Sequence, residues 1–138
     1  MKLSEAIRLG AMLKPQNHGF GAIDSTCALE AACEATGLEH WSFTDRIWPW
    51  LQKGVHCPVT GCTHPSFTKD SKYSIYRDVV YHLNDYHYWT RERIAYWVSL
   101  VEPNEDQIVD KKTLVQANDE TSIETLNKIA ATLTEYNL

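Results

Sequence analysis

Two cysteines five positions apart, Cys57 and Cys62, precede two histidines five positions apart, His82 and His87. The pattern is Cys-x4-Cys, then 19 residues, then His-x4-His. Four soft or borderline donors in two tight pairs can be gathered at one point, and Zn2+ takes such a set as a closed tetrahedron. The metal ligands expected are therefore Cys57, Cys62, His82 and His87, with Zn2+ as the cofactor. His56 and His64 flank the cysteine pair and can replace a member of the set. Pro58 and Gly61 favour a turn that aims both sulfurs at one point. The histidine pair sits near a helix end, and an x4 gap needs the helix to loosen at Asn84-Asp85. Asp85 can orient one imidazole as an outer carboxylate, or serve as a cap or solvated acid.

A DNA-reading finger has about 12 residues between its pairs. Here Ser66 to Ser74 absorb a longer gap, which makes the module finger-like without the usual DNA-reading spacing. A catalytic zinc keeps an open position for water, whereas four protein ligands close the site. Neither His-Glu-x-x-His nor His-x-Glu with Pro-Cys-x-x-Cys occurs. No catalytic residue is assigned, and a zinc-dependent enzyme is the reserve reading.

The rest of the chain reads as mainly α. Leu3, Ile7 and Ala11 pattern a helix over residues 3–14, closed by Pro15. Gln16 to Gly21 form a loop. A second helix runs from about Ser25 to Thr36, capped by Asp24 or Ser25 and followed by Gly37. Its alanines invite close approach by another element. Residues 38–51 carry Trp41, Phe43, Trp48 and Trp50 as a packed connector, with Thr44 capping a short turn. Helices follow over 73–84 and from Arg91 to Val101, the second capped by Thr90. Ile108-Val109 and Leu114-Val115 suggest short strand pieces in a polar, acidic segment. A last helix is expected from Ser122 to Tyr136. Residues 1–102 thus form a helical domain with a zinc module at about 55–90, and 103–138 an acidic linker and helix.

The stretch Tyr81 to Trp97 contains His82-Leu83-Asn84-Asp85, then His87, Tyr88, Thr90, Arg91-Glu92, Ile94-Ala95 and Trp97. It resembles a signature of small uncharacterised phage and prophage proteins. Relatives often carry an upstream cysteine pair like Cys57 and Cys62. Leu3 to Gly10 and Cys27-Ala28-Leu29 look similar to the same group. The resemblance covers about residues 1–100 and stops before the tail. It implies a phage or prophage origin and supports the four ligands; it supplies no substrate. Read physically, Trp89 and Trp97 bracket a helix start, and their rings are expected to cover the histidine side of the metal.

Charge narrows the partners. The chain of 138 residues has a formal net charge of -5, which does not draw in nucleic acid. Between residues 53 and 93, Lys53, Lys69, Lys72, Arg77, Arg91 and Arg93 outnumber Asp70, Asp78, Asp85 and Glu92. With Tyr73, Tyr76, Tyr86 and Tyr88 they make a weak nucleic-acid footprint. From Glu102 onward the balance is acidic, and the apolar side of residues 123–133 must bury itself on the body or on another copy of the chain, as a homo-oligomer. No apolar run spans a bilayer, and no signal peptide is seen at the start, so the chain is expected in the cytoplasm, that of the host if phage-encoded. In that compartment four cysteines favour metal or free thiols over disulfides. Cys27 reads as a small buried hydrophobe, although His18 and His40 exist as conceivable partners for a reactive thiol. The expectation is a zinc-stabilised binding protein whose partner is a host or phage protein, with a nucleic-acid regulator as the alternative.

Overall fold

The computed structural model describes residues 1–18, 24–68 and 74–119. The expected helix 122–136, with its oligomer face, lies outside the described residues, as do Lys69, Lys72 and Tyr73. The fold is mainly helical: α1 (Leu3–Ala11), α2 (Ala28–Thr36), α3 (Thr44–Ile47), α4 (Tyr76–Asp85), α5 (Arg91–Val101) and α6 (Lys111–Asn118). Among the described residues there is no strand beyond two isolated bridges, Gln16 with Thr26 and Gly54 with Ile75.

Helix α1 buries Leu3, Ala6, Ile7 and Gly10, the one-sided spacing of an amphipathic helix. It stops at Ala11, earlier than the apolar pattern suggests, and Met12 is 82% exposed. At its other end the backbone N–H and hydroxyl of Ser4 donate to the carboxylate of Glu102, just past α5. A negative group there satisfies an orphan amide and complements the helix dipole.

Helices α1 and α2 meet at Gly10. A Cβ at that position would lie 1.7 Å from the carbonyl oxygen of Ala31. Only a missing side chain allows this approach, and the alanines of α2 provide the small surface opposite. The cap of α2 is Cys27, not Asp24 or Ser25. Its Sγ accepts from Glu30 N–H at 3.5 Å, and the Glu30 carboxylate accepts from Cys27 N–H at 3.2 Å. Thr26 explains the shift. Its N–H donates to Pro15 and its carbonyl accepts from Asn17 N–H, both at 2.9 Å. That pairing holds residue 26 extended and delays the helix. Gly37 ends α2 at φ 94°, as its position predicts.

The aromatic connector packs as expected. Trp48 is 1% exposed, and its indole N–H donates to the Met1 carbonyl at 3.2 Å. Thr44 begins α3 without capping it; its buried hydroxyl donates to Trp41 O at 2.8 Å. Leu114 and Val115 lie in α6, not in a strand. Asp110 caps that helix, accepting from both the N–H and the hydroxyl of Thr113 at 2.8 Å. Ala117 of α6 is buried, Arg46 donates to its carbonyl at 2.6 Å, and Asn118 donates to Gly37 O at 3.1 Å. The chain is thus fastened to the helical body well past Pro103.

Gly10→Ala should destabilise the protein by about 3 kcal/mol, because the contact is with backbone that cannot move aside. Gly54→Ala, whose new carbon would meet nothing closer than 3.6 Å, should melt near the wild-type midpoint. Urea denaturation of both variants checks the contrast.

Candidate metal centre

The cysteine loop is built first by hydrogen bonds. Val55 N–H donates to Ser74 O and Tyr76 N–H to Lys53 O, both at 3.0 Å, which sets the loop against the start of α4. Cys57 N–H donates to Phe67 O at 2.7 Å and closes it. Inside, Cys62 N–H reaches Val59 O at 3.2 Å, and Gly61 takes φ 81°, the turn that Pro58 and Gly61 predicted. Val59 N–H also donates to Cys57 Sγ at 3.4 Å, which supports a thiolate there.

The histidines come from the end of α4. In a continuous helix, positions five apart diverge by about 140°. The helix stays regular through Asp85 and loosens after it, one step later than Asn84-Asp85. Tyr86 N–H and His87 N–H both donate to His82 O, at 2.9 and 3.3 Å, and Trp89 N–H reaches back to Leu83 O at 3.0 Å. Tyr88 takes the left-handed φ of 55° within this turn. The result places the two imidazole centroids 4.7 Å apart and nearly perpendicular, at 86°.

All four donor atoms of Cys57, Cys62, His82 and His87 lie within 4.8 Å of one another. Cys57 Sγ is 3.4 Å from His87 Nε2, and Cys62 Sγ is 3.5 Å from His82 Nε2. Zinc bond lengths place sulfur and nitrogen at the ends of a tetrahedral edge of about 3.6 Å. The two cross pairs therefore already have the edge length of a four-coordinate site. The donor set and its geometry can hold a metal ion. His56 and His64 do not belong to the cluster; His56 is exposed, and His64 Nδ1 accepts from Ser66 N–H at 3.3 Å.

Burial tunes the two imidazoles in the direction a metal needs. It pulls the His82 imidazole down to about 4, with His87 and His64 adding repulsion, and lowers His87 as well. Neutral imidazoles are the ligand form. Burial pushes the Cys57 thiol up to about 11, so a metal must displace its proton.

The aromatics around the site differ from those expected. His82, 2% exposed, is sandwiched by Phe67 at 4.0 Å and Tyr86 at 5.0 Å. Phe67 is the lone aromatic between Cys57 and Lys72, and that isolation is the signal that finds it. Trp89 does flank His87 beside a cleft, but Trp97 meets Tyr76 at 5.8 Å. Asp85 accepts from the Asn84 side chain at 2.7 Å, not from an imidazole. Asn84 itself, fully buried, accepts from Gln16 Nε2 at 2.9 Å and donates to Asn17 O at 2.7 Å. These bonds brace the end of α4 against the loop after α1.

The basic footprint does not assemble among the described residues. Arg91 is buried and donates to Lys14 O and Thr26 Oγ1 at 2.8 Å and to Ala11 O at 3.2 Å. Arg77 pairs with Asp45 at 3.0 Å, and Tyr76 packs on Trp50 at 5.3 Å. Cys27 and Cys33 are buried free cysteines, held protonated by burial; Cys33 is pushed up to about 12.

No family model, curated protein or solved structure matches the chain. The likeness to phage proteins rests on the motif residues alone. No helix among the described residues is long and apolar enough to cross a membrane.

Cys57→Ser, His82→Ala and His87→Ala should each lose stoichiometric metal, while His56→Ala and His64→Ala should keep it. Elemental analysis and the absorption of the Co2+-substituted protein separate the two groups.

Proposed function

We propose that this chain is a non-enzymatic, zinc-stapled binding protein of the cytoplasm. The observation that carries the reading is the donor set: four protein donor atoms within 4.8 Å of one another, with His82 held between two rings. Such a site offers no open position to water or substrate. Zinc suits it better than the harder divalent ions, which prefer oxygen. The ion joins the cysteine loop to the end of α4, two segments otherwise held by a few backbone bonds and by the packing of Phe67 on His82. Its role in this reading is to fix a surface, and the partner is a host or phage protein, in keeping with the motif resemblance. The nucleic-acid alternative loses support from the burial of Arg91 and the pairing of Arg77.

Chelation tests the staple. Removing the metal should abolish the near-ultraviolet circular dichroism and the cooperative melt; an apo protein that keeps both would sink the reading. Zinc uptake at about pH 7.5 should release the proton of the Cys57 thiol and none from the imidazoles, which are already neutral. Apparent affinity should therefore fall as the pH drops. Calorimetry in buffers of different ionisation enthalpy counts the protons. Labelled DNA and RNA at low salt should show no saturable binding; a salt-dependent isotherm would restore the alternative.

A further inference from the structure

An open cleft of about 550 Å³ lies between the cysteine loop and the start of α5. Val59 and Thr60 stand on one wall, and Tyr88, Trp89 and Arg93 on the other, with His87 at the edge. The volume suits a small ligand.

The polar and aromatic groups are arranged in advance. The Arg93 guanidinium lies over the Trp89 ring, 4.0 Å from its centroid. Stacking fixes the plane and leaves the N–H donors at its edge for an anion. Arg93 is exposed and makes no salt bridge among the described residues. No acidic side chain lines the cleft, although the chain as a whole carries -5. The positive end of the α5 dipole adds to the same sign. On the same wall, Tyr88 is 67% exposed on a left-handed backbone. That conformation costs an aromatic residue about 1 kcal/mol or more. The His18 ring meets Tyr88 at 4.9 Å and is itself tied to Asn84 O at 2.7 Å. The ring is thereby held outward.

A cation whose planar donors have no acidic partner among the described residues, set beside the exposed ring of Tyr88, matches a ligand with a flat ring and a compact negative charge. We propose that this cleft binds a free nucleoside monophosphate, with its phosphate on Arg93 and its base against Tyr88. The inference gives the binding protein proposed above a ligand class, and it rests on that reading because one wall is the metal-bearing loop.

The test titrates adenosine 5′-monophosphate, adenosine and inorganic phosphate separately into the full chain, following tryptophan fluorescence and measuring zinc in each sample. The monophosphate should saturate the protein, with adenosine and phosphate each weaker by at least about tenfold. Arg93→Ala should lose at least about tenfold, and Arg93→Lys should fall between, keeping charge without the planar fork. No saturation at millimolar monophosphate, equal affinity for adenosine, or an unaffected Arg93→Ala would each overturn the inference. Tighter binding of a 5′-phosphorylated oligonucleotide would overturn it in favour of a nucleic-acid end. Zinc-replete protein that ignores the nucleotide defeats the cleft and leaves the staple. Nucleotide binding through Arg93 with no zinc in the cluster defeats the staple and leaves the cleft.

Discussion

The metal cluster depends on a helix stopping in the right place. His82 points from the last regular turns of α4, and His87 joins it only because the backbone widens after Asp85, with two successive amides on His82 O. An unbroken helix would carry the second imidazole to another face. The widening is held from outside. Buried Asn84 is bonded to Gln16 and Asn17, and the Trp89 carbonyl accepts from Gln16 Nε2 at 2.7 Å. The loop after α1 therefore sets the geometry of a site to which it contributes no ligand.

Much of this was legible in the residues. Thr90 and Gly37 end their helices where local chemistry says they should, because caps act through one or two bonds to near neighbours. The clustering of Cys57, Cys62, His82 and His87 was legible for a similar reason: few residue types bind metal, and their pairing in sequence reflects their pairing in space. What escaped was decided at long range. Cys27 became a cap because Thr26 was already committed to Gln16. Leu114 and Val115 look like strand residues, yet the aspartate ahead of them and docking near Arg46 and Gly37 make a helix.

The basic residues teach the opposite lesson. Counting charges along residues 53–93 gives a cationic stretch, but a count does not say which way a side chain turns. Arg91, within the stretch from Tyr81 to Trp97, faces inward and meets carbonyls; Arg93, two positions on, faces outward over an indole. The periodicity of α5 separates them by about 200°, enough to give one a structural duty and the other a free one.

Arg91 has a consequence for how the molecule comes apart. Among the described residues its buried guanidinium has no carboxylate partner: it is held by the carbonyls at and just after the end of α1 and by the Thr26 hydroxyl. Carbonyl oxygens do not titrate in the acid range, and a buried joint is little screened by salt. A metal at the other end would be bound through groups that protons compete for. Acid thus acts on the two ends of one short motif unequally, loosening the clasp made by the histidines while the rivet a few residues later stays closed.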